Sequence, residues 1–574
     1  MKSQKLSFSL SIFFSLIVLL SSCGKQEPKE TNNQEEIKKM EAEFSTYIKV
    51  VEDTLNVLYK NSSLAAWTAY NSGKDEDFSA SETADMALNS YLSNKDVFAK
   101  LKQYKESNLI LDSTLSRMLT LDYNAFLGCQ IDTAKLNAIT RLSTDIGKRF
   151  QNFRAKVDGK ELTDNDIESI LITSKDSKKL EKTWLAHKEI GNLVAQDLVK
   201  LVKMRNEVAK ELGFKNYHDM SLRLSEQDPD EILNLFNELD NLTKDGFKQL
   251  MTEMNDVIAK QCNTTPDKLM PWHYQNRYFQ EAPKIYSVDL DKYYKGKDLV
   301  KLTQDYFASI GLPVDDIVSK SDLFERPGKS QHAFCFDIDR NKDVRVLCNV
   351  RPEEKWMNTM LHEFGHGVYF KNLDSQMPWS FRTPAHTFTT EAIAMIFGRF
   401  ASNPVWIKDM LGVKDEEVAK ISETCGKILR LQQLVFSRWS QVMFRFEKSL
   451  YENPDQDLNK LWWDLVEQYQ MIKRPEGRNA PDWATKIHIA TSPCYYHNYH
   501  LGELLASQLY FTIKDKVLNK ADAPMVSFYN EPKVGEFLIN NFFAPGAKYF
   551  WNDKIEKCTG EKLTAKYYAK QFVK

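Results

Sequence analysis

Chain-breaking residues are scarce here. Twenty-one glycines and 18 prolines are spread over 574 residues, and nowhere do they gather with serine into a linker. A string of small domains on flexible tethers is thereby excluded, although a prior of about 150 residues per domain would allow three or four. Charge of one sign is missing as well. The formal net charge is -2, with acidic and basic residues interspersed, and no basic stripe marks a nucleic-acid-binding surface. No solenoid period repeats, and no low-complexity tract follows the short N-terminal one. What is present is 42% hydrophobic residues, enough for a large core. The expectation is one mainly α-helical body of two lobes over residues 36–574.

The N-terminus reads differently from the rest. Lys2 and Lys5 precede an apolar stretch from Leu6 to Leu20, which has the form of a secretory signal and is short for a permanent span. Leu20-Ser21-Ser22-Cys23 resembles a bacterial lipobox. The resemblance implies a signal peptide over residues 1–22, lipid attachment at Cys23, and a flexible tether to residue 35. The protein is then expected to be an exported bacterial lipoprotein, anchored at the periplasmic or surface face of a cell-envelope membrane. The alternative is an ordinary signal peptide with an incidental cysteine. No other stretch is apolar enough to cross a membrane. Of eight cysteines, the seven after Cys23 are an odd number without zinc-knuckle spacing. Cys335 and Cys348 are the two best placed to pair.

Helical spacing dominates the body. Ile37, Met40, Phe44, Tyr47, Val51, Leu55 and Leu58 predict a long first helix. Further helices are expected over 111–126, 164–172, 178–212, 229–259, 299–310, 355–372, 390–401, 415–451, 458–469 and 496–511. The exception is His332 to Val350. It is rich in alternating and β-branched residues around Asp339-Arg340-Asn341-Lys342, so it predicts a β-hairpin.

Directly after that hairpin stands "LHEFGHGVYF", with the pattern H-E-x-x-H. His362 and His366 lie one turn apart on one helical face, so both imidazoles can reach one cation. Glu363, beside the first histidine, can point at a water there. A catalytic zinc site needs three protein ligands and one open position. The third should be a His, Glu or Asp on a neighbouring element, and "TTEAIAMIFGRF" offers Glu391, 25 residues after His366. Zinc suits nitrogen and oxygen donors and polarises a carbonyl without redox chemistry.

Together with "AAWTAYNSG", "MRNEVAKELGFKNYHDMSLRLSEQD", "QHAFCFDI" and "KIHIATSPCYYHNYHLGEL", this segment resembles the peptidyl-dipeptidase A family of angiotensin-converting enzyme, over roughly residues 40 to 515. The resemblance implies a helical fold with a deep groove between two halves, one Zn2+ per chain, and oligopeptide substrates shortened by dipeptides from the carboxyl end. Carried over residue by residue, it implies His362, His366 and Glu391 as metal ligands and Glu363 as general base. Tyr499 and His488 would stabilise the oxyanion. His332 and Ala333 would hold the substrate backbone from an edge strand. Lys486, Tyr496 and Gln275 would bind the terminal carboxylate, Gln275 being the weakest match. His386, His497 and His500 are read as structural.

The sequence departs from the animal members in four respects. The glutamate spacing is one residue longer. Met395 replaces an aspartate that orients the first histidine, and such a partner is normally required. Asn498 takes the place of a chloride-binding arginine, and one extra residue precedes Tyr499. Two rival readings stay open: an internally cleaving oligopeptidase of the related helical H-E-F-G-H family, and a peptide-binding lipoprotein without catalysis.

Overall fold

The computed structural model describes residues 29–573, with side chains from residue 33 onward. The expected lipobox and signal peptide lie outside the described residues. Among the described residues, no helix is long and apolar enough to cross a membrane.

The chain is mainly α-helical, as expected, and its core falls into two main apolar clusters. The first helix, Lys29–Ser72, buries Phe44, Ile48, Val51 and Leu55 at the predicted spacing. Against that stripe pack Leu101, Tyr104, Met118, Leu119 and Phe126, making the smaller, N-terminal lobe. Phe381 joins this cluster from the far side of the chain. The Glu52 carboxylate accepts hydrogen bonds from the backbone N–H groups of Trp379 and Ser380, at 3.1 and 3.0 Å. The small lobe is thus fastened to the large one by both apolar contact and a buried charge.

The larger cluster runs from Ile146 to Phe572. Its long helices start where their caps dictate. Asp176 caps Ser177–Glu211, and Asp228 caps Pro229–Gln261 with proline in the first turn, where its missing N–H costs nothing. The helix Asp415–Glu452 runs through the middle of this core and buries Leu434, Trp439, Val442 and Phe446.

The predicted hairpin is present but short. Phe334–Asp337 pairs antiparallel with Val344–Leu347. Asp322 bridges to Leu347 on the second strand, so the other edge of Phe334–Asp337 has no β-partner among the described residues. The register sets Cys335 opposite Val346 rather than Cys348, and all seven described cysteines are free thiols. The expected Cys335–Cys348 pair is not formed.

Candidate metal centre

Three helices build the site, and close approach at two glycines sets their spacing. The motif helix Glu354–Lys371 lies directly against Thr387–Gly398. At Gly365 a Cβ atom would stand 2.8 Å from the Ala394 Cα, so only glycine permits this contact. A third helix, His497–Thr512, presses in at Gly502, where a Cβ would stand 3.2 Å from both the Glu391 Cβ and the Met395 sulfur. The helix bearing Glu391 starts earlier than residue 390 because the imidazole of His386 caps it, accepting from the Phe388 N–H at 3.2 Å. That is a structural role for His386.

This packing gathers His362, His366 and Glu391. Their ligand atoms all lie within 4.8 Å of one another, the one such His/Cys/Asp/Glu group found among the described residues. Glu391 Oε2 is 3.7 Å from His362 Nε2 and 3.8 Å from His366 Nε2. Tetrahedral ligands with bonds of about 2.1 Å stand about 3.4 Å apart, so small side-chain shifts would close the cluster around zinc. The electrostatics fit as well. Burial lowers the pKa of His362 to about 4 and holds that of His366 well below its usual value, leaving both imidazoles neutral and able to offer a lone pair. Burial pushes Glu391 up to about 7, and burial together with the Glu391 charge pushes Glu363 up to about 8. Two carboxyl groups and two neutral imidazoles in one recess form a place where a dication is favoured.

One orienting residue escaped the sequence reading. His366 Nδ1 lies 2.8 Å from the Thr390 hydroxyl, which leaves Nε2 facing Glu391. Thr390 directly precedes Glu391, but nothing in the sequence shows that it reaches across to the motif helix. His362 makes no comparable hydrogen bond among the described residues, and Met395 packs against Gly502 instead.

The remaining predicted residues divide into those the fold brings together and one it does not. Tyr499 lies within electrostatic range of Glu391, and burial raises its hydroxyl pKa. Tyr495 shares that surrounding, with its ring 5.2 Å from that of Tyr499. The His488 ring is 5.3 Å from Tyr496, and burial lowers its pKa to about 4. Lys486 is 6% exposed and stands over the rings of Tyr278 and Tyr496 at 5.0 and 5.5 Å. Burial, followed by the Arg277 charge, lowers its pKa to about 8. Its ammonium donates to Gln280 Oε1 at 2.5 Å. Gln275 is not there. Its side chain bonds Gln261 and the Lys284 N–H, on a backbone with φ +57°, so the glutamine that meets Lys486 is Gln280. The segment carrying Lys486 and His488 is pinned from outside: Tyr278 donates to the Thr485 carbonyl and Arg205 to those of Ile489 and Ala490. His332 is exposed and Ala333 half-buried, just before the open-edged strand Phe334–Asp337. Strand and motif helix meet where the Cys335 sulfur comes 3.8 Å from the Cβ position of Gly367. Asn498 bonds Gln227 at 2.8 Å, and His497 bonds the same glutamine.

Comparison with known proteins agrees with this geometry. The peptidase M2 family profile, described as angiotensin-converting enzyme, matches residues 38–572. A protein named angiotensin-converting enzyme from Haematobia irritans exigua is 23% identical over 453 residues, 71% of this chain and 72% of that protein. An inactive angiotensin-converting enzyme-related protein of Caenorhabditis elegans is 22% identical over 372 residues, 57% of this chain and 40% of its own length. An angiotensin-converting enzyme-related protein of Drosophila melanogaster is 19% identical over 433 residues, 69% of this chain and 68% of that protein. These relatives are animal proteins, and none is described as a lipoprotein. They overturn the expectation of a bacterial lipoprotein member with a signal peptide, lipid attachment at Cys23 and a cell-envelope membrane address. Matched along almost all of its described length, with a His-His-Glu triad held between two helices, the chain belongs to the peptidase M2 family of angiotensin-converting enzyme, a family of zinc metallopeptidases.

Proposed function

We propose that the chain is a zinc-dependent peptidyl-dipeptidase that removes dipeptides from the carboxyl end of oligopeptides. The observation that carries this reading is the buried Lys486–Gln280 pair. A peptidase that cleaves internally has no need of a buried ammonium near its site. One that counts residues from the carboxyl end must hold the terminal carboxylate at a fixed place. Lys486 supplies the charge, while Gln280 and Tyr496 fix its position.

His362, His366 and Glu391 would hold the zinc, which when bound supplies a Lewis acid for the scissile carbonyl and a lowered pKa for water. Glu363, whose carboxyl burial holds up to about 8, would be kept ionised by the charge of a bound dication; in that form it takes the proton of the attacking water and delivers it to the departing amine. It is 8% exposed, so bulk water does not compete for that proton. The Tyr499 hydroxyl, kept protonated by burial, donates to the developing oxyanion. His488, neutral at pH 7 because burial lowers its pKa, assists from beside Tyr496. The open edge of Phe334–Asp337 lets His332 and Ala333 take an extended substrate backbone as an added strand.

Mass spectrometry of the products from a mixed peptide pool tests the reading. Stepwise loss of two residues from the carboxyl end is expected. Fragments cut at interior bonds, without regard to the terminus, would replace it with the oligopeptidase reading.

A further inference from the structure

The surroundings of Gln280 carry information beyond the carboxylate itself. Gln280 forms one wall of a cavity of about 440 Å3, which Glu281, Lys284, Gln433, Phe436 and Glu503 also line. Gln280 joins this cavity to Lys486, and the last side chain of a peptide held there by its carboxylate, branching from the carbon next to that carboxylate, would lie within reach of it.

The lining sets hydrogen-bond acceptors opposite an apolar flank. Glu281 is exposed, makes no ion pair among the described residues, and lies within electrostatic range of Lys486 and Tyr496. Glu503 is 8% exposed; one oxygen accepts from Gln433 Nε2 at 3.0 Å, and the other meets the Arg399 guanidinium. Gln433 is as buried as Glu503, and its amide oxygen has no partner among the described residues. Lys284, the cation on this wall, is exposed to solvent. Pro283, Ile428, Leu431 and Phe436 form the apolar flank, along which the methylenes of a long side chain can lie.

Three kinds of side chain can be weighed against this lining. An acidic one would face the Glu281 carboxylate as a like charge. An aliphatic one would displace water from Glu281 without replacing its hydrogen bonds, which is unfavourable. A lysine or arginine brings the missing donors and a compensating charge. We infer, resting on the function proposed above, that this cavity selects peptides ending in a basic residue and that Glu281 sets the preference.

The test uses the zinc-loaded enzyme and one peptide sequence ending in Lys, Leu or Glu, with products identified by mass. The expected order of kcat/KM is Lys over Leu over Glu. Glu281→Gln should lower the Lys/Leu ratio about two- to fivefold, the upper part of the range for losing a solvent-exposed ion pair. Glu281→Lys should favour the peptide ending in Glu over the one ending in Lys. Glu503→Gln would strip Arg399 of its buried partner and endanger the fold, so the exposed Glu281 is the site to change. The inference is overturned if the wild type cleaves the Leu peptide best, or if the Lys/Leu ratio is the same in Glu281→Gln. Failure of the underlying reading looks different, as products other than dipeptides from all three peptides.

Discussion

Glu363 and Glu391 have the same side chain and opposite duties. Glu391 shares the metal-facing cluster with two imidazoles, while Glu363 stands next to it on the motif helix without belonging to that cluster. Glu363→Gln should therefore keep zinc and lose hydrolysis, by about 10²–10⁴-fold or more for removal of a general base. Glu391→Gln replaces a charged ligand with a neutral one and should lose zinc during dialysis. Metal analysis of the two purified variants separates these roles. Zinc absent from Glu363→Gln and retained by Glu391→Gln would show them reversed. The pair of histidines and this glutamate were legible in the sequence, because helical spacing alone sets two of the three ligands on one face. The partner of His366 was not. Thr390 reaches it only because two helices touch, and a contact between helices leaves no local pattern.

At the scale of the element, the site depends on how closely two helices approach. An alanine at 365 would put its methyl group 2.8 Å from backbone at Ala394, and backbone cannot rotate away as a side chain can. The helices must separate, at a cost of about 1–3 kcal/mol for an overpacked contact. Glu391 would move with its helix. Gly365→Ala should thus lower Tm and also weaken zinc retention, whereas an ordinary destabilising substitution elsewhere in the core should lower Tm alone. Unchanged zinc affinity in this variant would mean that the approach at Gly365 does not set the ligand spacing. Much at this scale could be read beforehand. The first helix, the long central helices and the hairpin follow from periods of 3.6 and 2. Helices such as Asp75–Leu92, which buries no residue, have too weak an apolar stripe to announce themselves. The glutamate helix begins three residues before its expected start because a histidine, an unusual cap, closes its first turn. Gln280 has no signal in the sequence, because the irregular chain between Gln261 and Asp291 has no period from which to infer which side chain meets Lys486.

Across the whole molecule, residues far apart in sequence come together: the strand Phe334–Asp337 packs on the motif helix, the metal triad joins residues 362 and 391, and Gln280 meets Lys486 in the proposed carboxylate trap. The sequence signalled the triad through its motif, yet the trap rests on a contact spanning 206 residues, which no local pattern encodes. The proposed activity depends on this convergence, because releasing two residues at a time requires the trap and the metal centre to keep a constant separation. Comparing the wild type and Lys486→Ala on one peptide, as the free acid and as the terminal amide, measures that dependence directly. Amidation removes the charge that Lys486 pairs with, and loss of such a charge-assisted bond at a buried site should lower kcat/KM about ten- to a hundredfold. Lys486→Ala should lose about as much on the acid and little more on the amide. Equal cleavage of acid and amide by the wild type would contradict the account.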